Sequence, residues 1–563
     1  MPGWAGLRRK LRRPASYRDN RGRLAAKQQT GLTMSDDILP NLPGGTAPRM
    51  DLPGTSRRSL LGMAMAGGLV GAGGLVLPAD AAPAPKRGGK LTVAGYASST
   101  KDTLDPAHAS NSTDYSRLFM FYNGLTVFDR HLNALPDLAQ SVETKDATNW
   151  VIKLRKGIAF HDGSPFTSAD VVFSLSRHKD AATSSVVRPI AMQLQEIKAA
   201  GPHEVHITLS GPNSELPSLL AIYQMVIVKD GTKDFSKGIG TGPFMVKEFN
   251  PGVRSIAVRN PHYFHHGKPY LDEVTFFGIT DNAARVNALL SGDIDIASGI
   301  TPLATRQIKA AKGFAVLNTA AGNYTDLIMH VDAPTIGNPD FVLAMKYLQD
   351  RERIRDSVFL GYATVGNDQP IAPTNPYYDA SLPQRPLDLE KAKFHLKKAG
   401  MLGSKVRLVS SVAATGSPDM AVILQDTARK IGFDIQIDRV PANGYWSNYW
   451  LKAPFTYGNI NPRPTANILL TLFFQSTAPW NESHFKNPTF DKLLIASRAE
   501  TDLAKRKQMY GEMQKLIRDD AGIGIPVFIS DLDAYSTRVK GFHAIPTGDL
   551  MGFNFAQNVW VDG

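Results

Sequence analysis

Hydrophobic positions along this chain change period from stretch to stretch, and the changes predict its elements. Trp150, Ile152 and Leu154 recur at every second position and predict a strand buried on one face. Gly157 and Gly163 then supply the backbone freedom of tight turns. Val171, Val172 and Leu175 fall on one helical face, with Thr167 before them as N-cap and Asp170 closing an Asp version of the capping box. Residues 91–94, 203–209, 244–249 and 255–259 read as further strands, and 105–125 as a loop and helix. Asp281 caps a helix over 283–291 that Gly292 stops, and a short strand follows at 294–296.

A second region of similar character starts after residue 313. Asn338-Pro339 opens a helix with Val342, Met345 and Leu348 on one face, and Asp388 opens another that ends at Gly400. Ser417-Pro418 opens a third, with Ala421, Leu424, Ala428 and Ile431 turned to the core and Gly432 closing it. Phe433, Ile435 and Ile437 alternate as a strand, 502–518 form a last long helix, and 523–529 return as a strand. Strand–helix–strand order of this kind predicts α/β layers, with no internal repeat and no long linker.

The first 81 residues differ from the rest. Arg57-Arg58 precede a weakly apolar run from Leu60 to Leu77 that contains six glycines, and Ala79-Asp80-Ala81 fits a small-x-small cleavage site. Paired arginines before such a run resemble a twin-arginine export signal cleaved near Ala81. The alternative is a membrane anchor, which 18 residues just suffice to form, although the glycines weaken it.

At 563 residues the chain is too long for one core, so two or more domains are expected. The net charge of +12 is concentrated in the leader, which holds 12 of the 63 Lys and Arg but only 5 of the 51 Asp and Glu. The remaining charge is small for the size of the body and gives no sign of nucleic-acid binding. The absence of cysteine excludes disulfides, thiolate metal sites, Cys nucleophiles and a lipid-modified N-terminal Cys. No P-loop, G-x-S-x-G or EF-hand pattern is present. His161 beside Asp162 lacks a partner nucleophile. The adjacent His265-His266 cannot share a helical face, and His203 and His206 should face opposite sides of a strand.

The layout W-x-x-x-L-R-x-G-x-x-F-H-D-G-x-P-x-x-x-x-D-V runs from Trp150 to Val171. With it come Gly240-Thr241-Gly242-Pro243, Asn260-Pro261-x-Tyr263-Phe264, Leu290-Ser291-Gly292-Asp293-Ile294-Asp295, the 338–360 helix, Asn487-Pro488-x-Phe490-Asp491 and Ile525-Pro526. In this order the seven landmarks resemble the family 5 solute-binding proteins, receptors of peptide, nickel-chelate and opine ABC importers, over residues 88–563. The resemblance implies a two-lobed α/β periplasmic-binding-protein fold of the cluster C type. Lobe I would combine 88–312 with 525–563, lobe II would be 313–524, and hinge strands would lie near 315–324 and 525–529. It also implies a monomer that clamps a small-molecule solute or short peptide by hinge closure, outside the cytoplasm and free of a lipid anchor. The permease and ATPase would be separate chains. No cofactor, metal or catalysis is implied; a sensor or chaperone-like binder on the same fold is the alternative.

In peptide-binding relatives two segments grip the ligand. The first corresponds to Ser110, Asn111 and Ser112, whose backbone would pair with an extended ligand unless the stretch is an ordinary polar loop. The second corresponds to 456–463, where peptide binders place a carboxylate for the ligand's amino terminus. This chain has no acidic residue between Lys452 and Glu482, which argues against ordinary peptides. Arg463 instead offers a guanidinium that suits a carboxylate or phosphate, the alternative being a structural ion pair. Tyr457, Gly458, Asn459 and Asn461 complete the expected set, with Arg188 from lobe I. Tyr445, Trp446, Tyr449 and Trp450 are expected to pack in the core or rim rather than touch ligand. The ligand expected is polar or anionic, such as an opine-like molecule or amino-acid conjugate.

Overall fold

Two long antiparallel strands, Phe314–Met329 and Val527–Ser536, organise the chain in the computed structural model, which describes residues 84–463 and 465–562. The paired arginines, the apolar run and the cleavage site expected near Ala81 lie outside the described residues. The two strands pair from Phe314↔Ser536 to Thr319↔Asp531, then shift register and resume at Asn323↔Ile529. On one side of the shift, Val527–Ser536 adds Ile296–Ala297, which leads through Lys90–Gly95 and Glu273–Gly278 to Arg254–Arg259 and Phe244–Asn250. On the other side it adds Ala363–Val365, while Phe314–Met329 adds Phe455–Ile460 and Ile523–Gly524. One ten-stranded sheet therefore carries both halves of the sequence.

The first half adds a four-stranded antiparallel sheet built on Asn149–Leu154 and Glu204–Leu209. Trp150, Ile152 and Leu154 are buried against Val171, Leu175, Val205 and Ile207, so the period-two and helical faces meet in one core. The helix Ser168–Arg177 carries the expected Thr167/Asp170 capping box. His161 is a staple between two turns. Its Nδ1 accepts from Gly240 N–H at 3.2 Å and its Nε2–H donates to the Gly242 carbonyl at 3.0 Å. Burial pushes its pKa down, which suits the neutral ring this pairing needs.

The turn that His161 holds packs tightly on the end of the helix Ser112–Phe121. A Cβ on Gly242 would lie 2.3 Å from the Phe121 carbonyl carbon. Gly242→Ala is therefore expected to destabilise the protein by about 1–3 kcal/mol through backbone displacement, measured as a lowered urea midpoint at unchanged slope.

In the second half, the helices Pro339–Leu348, Leu389–Lys398 and Ser417–Arg429 cover the parallel pair Lys405–Ser410 and Asp434–Arg439. Ala421, Leu424, Ala428 and Ile431 lie in this core, as the helical period predicts. A separate core joins the helices Ala466–Phe473, Pro488–Ala499 and Leu503–Asp520. No helix among the described residues is long and apolar enough to cross a membrane.

Three expectations need correction. The helix expected over 338–360 ends at Leu348, and the separate short turns Arg351–Arg353 and Ile354–Val358 follow it. The strand expected over 523–529 is split, because Pro526 has no N–H for the ladder; the part after it runs on to Ser536. The short strand expected at 294–296 starts only at Ile296, and Asp295 instead accepts two hydrogen bonds from Arg538.

Candidate functional site

Where the sheet passes between the two halves, a cavity of about 410 Å³ opens. Its size falls within the range that small ligands occupy. Glu215, Pro217, Ile222 and Tyr223 line it from the first half, and Ala372, Tyr377, Pro462, Arg463 and Thr465 from the second. Gly322, from the stretch where the strands shift register, forms part of the wall, as do Arg506, Lys507 and Pro546.

Arg463 reaches this wall because of its place in the chain. The strand Phe455–Ile460 ends its pairing at Tyr324↔Ile460, and Asn461-Pro462 carry the backbone away from the sheet. Thr465 then caps the helix Ala466–Phe473. The guanidinium carbon lies 5.3 Å from the Phe473 ring centroid and 5.8 Å from that of Trp480. Its Nη1 donates to the backbone oxygens of Asn461 and Pro462, at 3.2 and 3.4 Å. Among the described residues no carboxylate lies within ion-pair distance, and Nε and Nη2 have no acceptor. Burial lowers its pKa, partly offset by Tyr324, Tyr223 and Glu482. An arginine so placed remains charged and keeps donors free for an anion.

The first half contributes an acid to the same cavity. Glu215 is buried, and Tyr510 Oη donates to its Oε1 at 3.0 Å while Oε2 has no partner among the described residues. Burial pushes its pKa up, against the hydrogen bond from Tyr510 and the nearby charge of Arg506. This contact joins the two halves, since Tyr510 sits on Leu503–Asp520. Two more bonds do the same: Ser214 N–H donates to the Arg498 carbonyl at 2.8 Å, and Arg506 donates to Ser214 Oγ. Tyr223 stacks on Tyr115 at 3.7 Å, and Tyr377 on Tyr510 at 4.3 Å, which gives the cavity two rigid aromatic walls.

Of the nine residues expected to hold ligand, only Arg463 lines this cavity. Asn111 is the N-cap of Ser112–Phe121, accepting from Asp114 N–H, so a helix start occupies the place where an extended ligand was expected to pair. Ser112 is buried in that first turn and Ser110 is exposed. Arg188 is exposed and donates to the Lys179 carbonyl. Tyr457 is only 2% exposed and belongs to the second-half core, because strand alternation turns it inward. Asn459 donates to Tyr324 O and Thr325 Oγ1, and Asn461 is exposed. Among the flanking aromatics, Tyr445 is fully buried and donates to the Tyr457 carbonyl.

Gly458 covers a carboxylate pair that sequence reasoning missed. A Cβ there would stand 2.5 Å from both Asp326 Oδ1 and Glu482 Oε1. Burial raises both pKa values, and Trp450 Nε1 donates to Glu482. The 456–463 segment thus lacks its own acid, yet Asp326 and Glu482 bring two beneath it. Glu215, Tyr223, Tyr377 and Arg506 were also missed; they lie on separate elements and carry no shared spacing.

The family model for bacterial extracellular solute-binding proteins, family 5 Middle, matches residues 133–479. The glutathione-binding protein GsiB of Escherichia coli O6:K15:H31 (strain 536 / UPEC) is 26% identical over 473 residues, 80% of this chain and 91% of its own length. The periplasmic binding protein DppA from Helicobacter pylori, solved with the peptide STSA, superposes with a TM-score of 0.68 at 24% identity, covering 85% of this chain and 99% of its own. The binding protein AgaA from A. tumefacien R10, solved with agropinic acid, gives a TM-score of 0.66 at 24% identity, covering 84% of this chain.

Proposed function

Because the chain belongs to the bacterial extracellular solute-binding proteins of family 5, we propose that it is the substrate-binding receptor of an ABC importer for a small anionic solute. Permease and ATPase are separate chains, and the receptor works outside the cytoplasm after a twin-arginine-type leader is removed near Ala81. Its task is capture and delivery without chemistry. The observation that carries the anion is Arg463, which lines the cavity with Nε and Nη2 free among the described residues. A carboxylate or phosphate accepts two parallel hydrogen bonds from such a fork. Glu215 on the same cavity supports a ligand that also carries an ammonium, whose arrival would favour the ionised carboxylate. An opine-like molecule or amino-acid conjugate has both groups.

The two units of the clamp are 88–319 with 531–562, and 323–529. We place the hinge at 320–322 and the facing Ser530, where the strands shift register. Closure brings Glu215 to Tyr510. Glu215→Gln is expected to weaken ligand binding roughly tenfold, as for one hydrogen bond to a charged group. Calorimetric titration checks it, and unchanged affinity would remove Glu215 from the clamp.

A short peptide is the second reading, favoured by the Asp326–Glu482 pair under Gly458, which places two carboxyl groups close to the missing acid's place. Titration of a tripeptide against its N-acetylated form separates the readings, since only a peptide receptor that reads the ammonium loses affinity on acetylation.

A further inference from the structure

We propose that His330, Asp332 and His484 form a binding site for one divalent transition-metal ion, remote from the ligand cavity. One ligand atom from each lies within 4.8 Å of the others. The two imidazole rings stack at 3.9 Å, and His484 Nδ1 is 2.8 Å from Asp332 Oδ1. His330 is only 5% exposed, and its buried Nε2 has no hydrogen-bond partner among the described residues. An unpaired buried ring nitrogen is costly unless something fills its lone pair or takes its proton.

The donor set suits zinc or a neighbouring first-row ion, which imidazole and carboxylate bind at about 2.0–2.2 Å. Asp332 is exposed and His484 half-buried, so both side chains are free to turn inward on the fixed His330.

The backbone is prepared for the same contact. His330 N–H donates to the Pro454 carbonyl and Val331 N–H to the Ser483 carbonyl, which clamps the end of Phe314–Met329 to the segment carrying His484. His330 stands eight residues beyond Gly322, the cavity residue of that strand, or roughly 26 Å at strand rise. The metal would act as a clip on the outer end of the second half and leave the ligand cavity untouched.

The test uses tag-free protein without its leader, stripped with chelator and titrated with Zn²⁺ by calorimetry. One saturable equivalent is expected, with a raised melting temperature. His484→Asn and Asp332→Asn should each weaken it at least tenfold, and Arg463→Ala should leave it unchanged. Co²⁺ should add visible d–d absorption that His484→Asn removes. His484→Asn changes a half-exposed side chain, so its metal-free melting temperature reports whether the fold is kept. Absence of saturable Zn²⁺ uptake, or uptake that His484→Asn leaves intact, would overturn the site.

Discussion

Arg463→Ala is expected to lower affinity for the physiological solute about a hundredfold and to leave the ligand-free fold close to intact. The size follows from the geometry. Two charge-assisted hydrogen bonds to a guanidinium are worth about 1.5–3 kcal/mol each. Truncation would also leave the ligand's anion unpaired in a partly buried site, so a net loss near 3 kcal/mol, or about two decades, is reasonable. The small effect on folding follows from the same contacts. Nη1 bonds only backbone oxygens, and among the described residues no acid is left behind without its partner. Loss of the stacking on Phe473 and Trp480 should cost about 1 kcal/mol. Arg463→Lys should recover only part of the affinity, because an ammonium cannot reproduce the two-pronged contact. Calorimetry checks both variants; wild-type affinity in Arg463→Ala would remove the anion from the account.

The second large effect concerns the fold. Asp368→Ala is expected to destabilise the protein by about 3–5 kcal/mol, a large part of the 5–15 kcal/mol typical of a folded domain. Asp368 is fully buried. Both its oxygens accept from Arg351 Nη2, at 2.8 and 2.7 Å, while Arg385 Nη1 donates at 2.5 Å and Ile525 N–H at 3.1 Å. Burial alone would raise its pKa, but Arg351 and Arg385 outweigh burial and hold it below the usual carboxylate range. A carboxyl depressed in the folded state contributes stability that is present above its unfolded pKa of about 3.9 and fades as pH falls through the lower, folded value. The cost of Asp368→Ala should therefore be full near pH 7 and shrink in acid. Removing this acid strands two buried guanidinium groups beside the start of the last long strand. The exposed Arg353–Asp426 pair, 2.6 Å apart, is the contrast: Asp426→Ala should leave the urea midpoint nearly unchanged. Urea unfolding of both variants at pH 7 gives the comparison, and equal effects would mean that the buried cluster is not a support.

Much of the fold was legible because its signals are local. Thr167 and Asp170, Asp281 and Gly292, and Asn338-Pro339 mark helix ends through bonds that span three or four residues. The faces of 417–431 and 149–154 follow from period alone. The cavity was much less legible. Arg463 could be picked out because it is a cation in the segment that lacks the acid expected from the resemblance, where Ile460 or Asn461 stands instead. Its neighbours could not: Glu215, Tyr377 and Arg506 come from distant parts of the chain to line one cavity, and no spacing in the chain records that contact. Within 456–463, Tyr457 and Asn459 misled, since they spend their side chains inside the second half. The acids under Gly458 were hidden for the same reason, Asp326 coming from a neighbouring strand and Glu482 from a loop beyond the next helix.

The most direct test of the central claim is native mass spectrometry of the gently purified protein without its leader, followed by release and identification of the trapped ligand. The account predicts one small solute bearing a carboxylate or phosphate, absent from Arg463→Ala purified in parallel. A heterogeneous set of short peptides, retained equally by Arg463→Ala, would contradict it.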